Sequence, residues 1–366
     1  MNTFGRVFRV SLFGESHGRG IGVVIDGVRP GLPLSVNDFK TDIRRRAPGA
    51  YGTTERREDD IPEILSGVYK GHTTGAPLTI LFVNNDTESG DYQLFKDTPR
   101  PGHADFTASV KYLDFNDPAG SGHFSGRLTL PIVAAGVVAK KMLSFDVRAS
   151  LKEIGGFPVH SGSSVIPSSS VIPSSSVIPS EVEESPEEAL PDGSIEEKDA
   201  SWKEALAKAK AAGDSLGGIV ECVVKDVPPG LGEPFFDSVE ALVSHAIFSI
   251  PGVRGVEFGD GFKAARMKGS EHNDPFTPTG NGWAKPVKNG AGGINGGITN
   301  GCDIVFRVAF KPTSSIARRQ ETFNFAEGRL AGLEIPGRHD VCFALRTPPI
   351  VEAMTAIVLA DLTLLQ

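Results

Sequence analysis

The sequence predicts a mixed α/β protein, and three observations carry that expectation. Apolar or alternating runs of strand length recur, clearest at 78–83 and at 304–310, where Ile304, Phe306, Val308 and Phe310 alternate with Val305, Arg307 and Ala309. Longer apolar segments of helical length lie at 130–143, 237–250 and 351–365. Glycine is abundant, 43 of 366 residues or about 12% against a usual ~7%. That excess implies many tight turns and a site assembled from loops.

The bulk numbers set bounds. A chain of 366 residues can bury a large core, and 22% charged with 39% apolar residues fits a globular protein. A net charge of −8 gives no basic field, so nucleic acid is not an expected partner. Cys222, Cys302 and Cys342 are odd in number and far apart, which suggests neither a disulfide framework nor a zinc site; a reducing cytoplasm is the expected compartment. Arg6 and Arg9 interrupt any leader-like apolar core. No uncharged apolar run reaches the ~20 residues of a membrane span. The 351–365 run carries Glu352 and Asp361 and reads as a buried helix, so no membrane is expected.

In chain order, an alternating stretch at 6–12 leads into Phe13-Gly14-Glu15-Ser16-His17-Gly18, a turn that presents its histidine between glycines. A strand at 21–28 follows. Ser35 with Asp38 opens a helix that ends on Arg44, Arg45 and Arg46. Those three suit a helix C-terminus, but with Arg56 and Arg57 behind them they exceed what capping needs and suggest anion binding. After the 78–83 strand, a polar loop over 84–101 delivers Arg100-Pro101-Gly102-His103-Ala104-Asp105. The glycine-rich stretch 119–127, with His123, Phe124, Ser125 and Arg127, runs into the 130–143 helix, whose first turn holds Pro131.

Residues 163–182 are low in complexity, with Val-Ile-Pro-Ser-Ser-Ser units starting at Val165, Val171 and Val177. A proline in each six-residue unit defeats both helix and sheet ladder. The stretch 161–197 therefore reads as an exposed, mobile insertion within a single catalytic domain spanning 1–366. Beyond it come an amphipathic helix at 201–212, a strand at 218–227, and a helix at 237–250 that Asp237 and Glu240 would cap. Residues 289–301 hold six glycines, which argues for backbone lying against a ligand or another chain segment. The 304–310 strand ends in Lys311-Pro312-Thr313-Ser314-Ser315, suited to a phosphate. The last polar group is Gly337-Arg338-His339-Asp340, then Arg346.

Histidines on glycine hinges can move protons near neutrality, and arginines can hold carboxylates and phosphates in pairs of hydrogen bonds. The inventory points to acid–base chemistry on a small, multiply anionic substrate. Ser16 beside His17 hints at a nucleophile, but no Gly-x-Ser-x-Gly elbow is present. No dinucleotide-binding glycine fingerprint follows a strand either. A lyase or phosphatase without flavin, and a non-catalytic sensor of the same anion, fit these residues too.

The motifs at 13–18, 100–105, 230–234, 255–259, 311–315 and 337–340 resemble, in this order, those of the chorismate synthase family. The resemblance runs from Gly5 to about Leu364, interrupted by the repeat insertion. It implies a layered β-α-β sandwich assembled as a homotetramer. The implied activity is the last common step of the shikimate pathway: 1,4-elimination of phosphate from 5-enolpyruvylshikimate 3-phosphate to chorismate. Reduced FMN is the implied cofactor, with NADPH as candidate external reductant.

Under the resemblance His17 gives a proton to the departing phosphate, and His103 protonates the reduced flavin. Asp340 assists the flavin in removing the ring proton. Ser16, Arg46, Arg127 and Arg338 are the implied substrate contacts. His123, Phe124, Ser125, Pro251, Gly252, Gly296, Lys311, Pro312, Thr313, Ser314, Ser315 and Arg338 are the implied FMN contacts. The chain departs from the family in two loops. At 122–129 an arginine and an acidic residue are absent, and Gly52 stands where an arginine is usual; Arg56 or Arg57 are candidates to compensate.

Overall fold

The strand-forming runs assemble into two five-stranded antiparallel sheets, described in a computed structural model that covers residues 2–49, 51–54, 60–85, 92, 94–159, 194–280, 283–335 and 339–366. In the first sheet the order is Thr3–Phe4, Arg9–Gly14, Gly20–Asp26, Leu78–Val83, Glu63–Ser66. In the second it is Val253–Phe258, Ile304–Phe310, Gly218–Lys225, Asp146–Ile154, Phe157–Pro158. Period-two alternation sets the register: Ile21, Val23 and Ile25 lie on one buried face with Leu78, Ile80 and Phe82. In the second sheet Cys222 pairs across to Phe306 and Ala149.

Helix Thr129–Met142 packs on the first sheet, and the C-terminal helix Pro348–Leu365 packs on the second. The two helices also pack on each other, giving sheet, helices, sheet in layers. This is the α/β sandwich that the motifs implied. Side chains from both sheets and both helices belong to one buried cluster, with Phe8, Phe39, Phe82 and Phe306 among its largest members. The helices come close where Gly136 faces Ala353. A Cβ added at Gly136 would stand 2.2 Å from the Ala353 Cβ.

The C-terminal helix is long and apolar enough to cross a membrane, yet it lies mostly buried in this core. Its two acidic residues are both used. Glu352 accepts from Arg45 (2.6 and 2.7 Å), Lys140 (2.6 Å) and the Ala149 backbone (2.9 Å). Asp361 accepts the backbone N–H groups of Arg6, Val7 and Phe8.

Several boundaries differ from the sequence expectation. The helix expected from 201 begins at Ser194 and runs to Ala211, so 194–197 belongs to it and not to an insertion. The remainder of the expected insertion, including the repeats, lies outside the described residues. Helix Val239–Phe248 is capped by Ser238, whose hydroxyl accepts from Ala241 N, while Asp237 pairs with Arg6 at 2.9 Å. The glycine-rich 289–301 stretch packs against its own chain: Cβ atoms on Gly292 and Gly293 would meet backbone at 2.5 Å.

Replacing Gly136 by alanine forces the two central helices apart, and it is expected to cost about 1–3 kcal/mol. The denaturant midpoint measures this, and an unchanged midpoint would contradict the packing described.

Candidate functional site

A cavity of about 1080 Å³ opens where loops from both halves of the chain meet. Its described lining includes six cations (Arg46, Arg100, Arg127, Arg254, Lys311 and Arg346), two carboxylates (Asp60 and Asp340) and four histidines (17, 103, 123 and 339). A chain with net charge −8 thus concentrates positive charge in one concave place, as an anion site requires.

The His17 turn follows strand Arg9–Gly14 and is held from three sides. Ser16 N donates to Gly122 O (3.1 Å), and the Asn84 amide donates to the carbonyls of Glu15 and Gly18 (3.0 and 2.8 Å). The His123 Nδ1 lies 3.0 Å from Gly14 O. His17 sets its ring edge against Tyr92 (5.2 Å), with Nδ1 3.3 Å from Ser16 Oγ. Gly120 runs close against the ring: a Cβ there would stand 1.8 Å from His17 Nδ1, and its φ of 56° is left-handed. Ser16 is 1% exposed and its hydroxyl lies within hydrogen-bond distance of His17 Nδ1.

One cationic group surrounds Asp60. Arg46, 2% exposed, donates through Nε to Thr129 Oγ1 (3.2 Å) and through Nη2 to Gly126 O (3.0 Å), and its Nη1 lies 3.5 Å from Asp60 Oδ2. Arg127 donates to Asn84 Oδ1 (2.7 Å) and to Asp60 Oδ1 (3.1 Å). Burial, and then the neighbouring Arg346 and Arg127 charges, push Arg46 down to about 9, so it remains cationic at neutral pH. Arg346 donates to Arg46 O (3.1 Å) and to both oxygens of Asp340 (3.2 and 3.0 Å), while Thr54 N donates to Asp340 Oδ1 (2.8 Å).

A second group is built on Arg100, which lies over the Phe95 ring. Its guanidinium grips Asp105 (2.7 and 2.6 Å) and reaches Ser315 and Ser121. His103 Nδ1 stands 2.7 Å from Asp105 Oδ1, and Nε2 stands 3.3 Å from Ser121 Oγ. Burial, with the Arg100 and Lys311 charges, holds His103 below its usual 6.5, while Asp105 opposes them. The imidazole is therefore neutral at neutral pH, and we assign its proton to Nδ1, facing the carboxylate. Burial acts to raise Asp105, but hydrogen bonds from Arg100 and His103 keep its carboxyl well below the usual range. Lys311 donates to Gly102 O and Ser314 Oγ, and burial lowers its pKa. Thr313 Oγ1 is buried with no hydrogen-bond partner among the described residues.

The cavity brings together most of the residues singled out in the sequence: Ser16, His17, Arg46, His103, His123, Phe124, Ser125, Arg127, Pro251, Gly252, Lys311, Pro312, Thr313, Ser314, Ser315 and Asp340. Gly296 stands apart from this lining, in the exposed turn of hairpin Ile294–Asn295 and Ile298–Thr299. Arg338, Arg56 and Arg57 lie outside the described residues. Gly52 has a φ of 86°, a left-handed conformation that strains any side chain, and a Cβ there would stand 2.9 Å from Leu345 Cδ1. Sequence reasoning missed Asp60, Asn84, Arg254 and the Arg100–Asp105 pair. The only signal for Asp60 is its place in an acidic run, Glu58-Asp59-Asp60, which does not separate it from its neighbours.

The sequence model of the chorismate synthase family matches residues 8–364. The chorismate synthase of Chitinophaga pinensis is 51% identical, over 100% of this chain and 97% of that protein. That of Thermococcus kodakarensis is 42% identical, over 98% and 96%. A crystal structure of a chorismate synthase superposes with a TM-score of 0.71 at 28% identity, covering 99% of this chain and 93% of the other.

The His103 environment makes a titration prediction. Its folded pKa lies below the unfolded value, so the folded state binds this proton less readily and loses stability as pH falls through 6.5. The imidazole NMR midpoint is expected below 6.5, and lower still in Asp105→Asn, which removes the one group raising it. A midpoint above 6.5 would contradict the charge arrangement.

Proposed function

The chain belongs to the chorismate synthase family, carbon–oxygen lyases acting on phosphates, and from that premise we propose its reaction. It eliminates phosphate 1,4 from 5-enolpyruvylshikimate 3-phosphate, giving chorismate, with reduced FMN as cofactor. The observation that carries this reading is the crowding of six cations and four histidines around one cavity in an acidic protein.

The cavity fits a flavin mononucleotide. The hydroxyl of Thr313 is buried and unpartnered among the described residues, and beside it Lys311, Ser314 and Ser315 offer a cation and two hydroxyls to a phosphate. Phe124, Pro251 and Phe343 provide apolar surface for a planar ring. His123, Ser125 and Gly252 complete the candidate holders, with Arg338 and Gly296 assigned by resemblance alone. When bound, the reduced cofactor supplies the electron density that eases carbon–oxygen cleavage, with no net redox change.

The chain's own groups bind, orient and move protons. Arg46 and Arg127 hold an anionic group of the substrate, with Ser16 alongside. His17, fixed by its turn and by the ring contact with Tyr92, gives a proton to the departing phosphate. Asp340, oriented by Arg346 and Thr54 N, assists in the loss of the substrate's ring proton. His103 exchanges a proton at Nε2, and Asp105 behind Nδ1 favours the imidazolium when it forms. The anions of a bound ligand would offset Arg100 and Lys311 and so raise its basicity. The reading extends to a cytoplasmic homotetramer that acts without nucleic acid or membrane, its flavin reduced from outside with NADPH as candidate donor.

Stopped-flow absorbance with reduced FMN tests the reaction: a transient flavin signal with phosphate release supports it, and phosphate release without flavin, or binding without turnover, would overturn it. His17→Ala and Asp340→Asn are expected to lower turnover by roughly 10²–10⁴-fold while flavin binding persists. Near-wild-type turnover in either variant would exclude that residue from proton transfer.

A further inference from the structure

Asp60 is buried, its side chain 4% exposed, and no step of the proposed reaction uses it. Its two oxygens face different guanidiniums, Oδ2 at 3.5 Å from Arg46 Nη1 and Oδ1 at 3.1 Å from Arg127 Nη1. Among the contacts described, Arg46 also donates to Thr129 and Gly126, and Arg127 to Asn84, all neutral acceptors. Neutral acceptors fix orientation but do not offset the repulsion between two cations brought together away from water. Asp60 is the carboxylate shared by both. All three side chains line the cavity, so an entering anion meets the two guanidiniums as one surface.

We propose that Asp60 is the positioning residue of this anion clamp: its carboxylate, seated between Arg46 and Arg127, sets their separation and so fixes where the substrate's anionic group sits. This rests on the reading of the cavity as the site of a phosphate- and carboxylate-bearing substrate. Asp60 touches the arginines and not the reacting atoms, so it acts through them. Burial and then the Arg346 charge push Arg46 down to about 9, while Asp60 acts to raise it. Removing the carboxylate has two opposed consequences. It takes one negative charge away from an anion site, and it releases two mutually repelling cations. The clamp geometry makes the second dominate, because bidentate recognition depends on placement as well as charge.

The test uses the full chain carrying Asp60→Ala or Asp60→Asn. Binding of 5-enolpyruvylshikimate 3-phosphate without flavin, and of inorganic phosphate, is measured by calorimetry. Both variants are expected to bind at least about 10-fold more weakly. In turnover assays KM should rise with the dissociation constant, and kcat should fall less. Sodium formate should restore binding to Asp60→Ala in a saturable way, because its carboxylate fits the gap left between the guanidiniums; sodium chloride at equal ionic strength should not. Asp60→Asn fills the gap and should not be rescued. A merely structural ion pair would give no formate rescue.

Unchanged or tighter binding in both variants, or formate no better than chloride, would overturn the proposal. Should Asp60→Ala not fold, the isosteric Asp60→Asn decides by its binding alone. A wild-type protein that fails to convert the substrate, while inorganic phosphate binding still depends on Asp60 and formate, would refute the reaction and leave the clamp. Normal conversion with unaltered KM in the variants would refute the clamp and leave the reaction.

Discussion

Glu352 is the constraint from which the rest of the architecture follows. It is fully buried in the C-terminal helix and gathers a guanidinium, an ammonium and a backbone N–H from three other elements. Arg45 and Lys140 each also meet Asp42, so two cations and two carboxylates close on one another. A buried carboxylate of this kind is costly unless every partner is in place. When they are in place, helix Lys40–Arg46, helix Thr129–Met142 and strand Asp146–Ile154 have fixed positions against the C-terminal helix. Arg45 turns inward to this network. Arg46, about 100° further round the helix, is thereby aimed at the cavity. The structural charge and the site charge are adjacent residues with opposite duties.

The same logic shapes the cavity. Its cations are not a bare positive patch, since Arg46 and Arg127 share Asp60, Arg346 grips Asp340, and Arg100 grips Asp105. The Arg46–Arg127–Asp60 group keeps one net positive charge, the other two pairs are neutral, and each pairing holds a guanidinium plane still. A preorganised clamp of that kind does not have to order long side chains when the ligand arrives. The pairing also divides the site. Arg46, Arg127 and Arg346 form one group with Asp60 and Asp340, while Arg100, His103 and Lys311 form another around Asp105 and the 311–315 turn.

How much of this is legible in the sequence follows from the range of the interactions. Strands such as Leu78–Val83 and Ile304–Phe310 announce themselves through period and composition, which act over a few residues. So do the histidine turns and the 311–315 turn, because each is one contiguous loop. The layered sandwich and the chemistry come through the order of such motifs, by resemblance. What cannot be read are duties assigned by distant contacts. Nothing local separates Arg45 from Arg46, or Asp60 from Asp59. Asn84 serves both the His17 turn and Arg127, and only the fold makes those neighbours. Asp237 has the sequence of a cap, but its pairing with Arg6 leaves that task to Ser238.

The His17 turn shows why placement, and not residue type, decides chemistry. Serine beside histidine in sequence resembles a nucleophile with its base. In the structure Ser16 is buried, its N–H donates to Gly122 O, and its hydroxyl lies 3.3 Å from His17 Nδ1 rather than standing exposed at the head of an elbow. Gly120 lies against the same Nδ1 edge of the ring, so close that no side chain could stand there. The turn therefore fixes the imidazole and leaves the hydroxyl subordinate to it. With arginine clamps lining the same cavity, a fixed imidazole is best suited to transfer a proton to an anion those clamps hold. That follows from what surrounds His17.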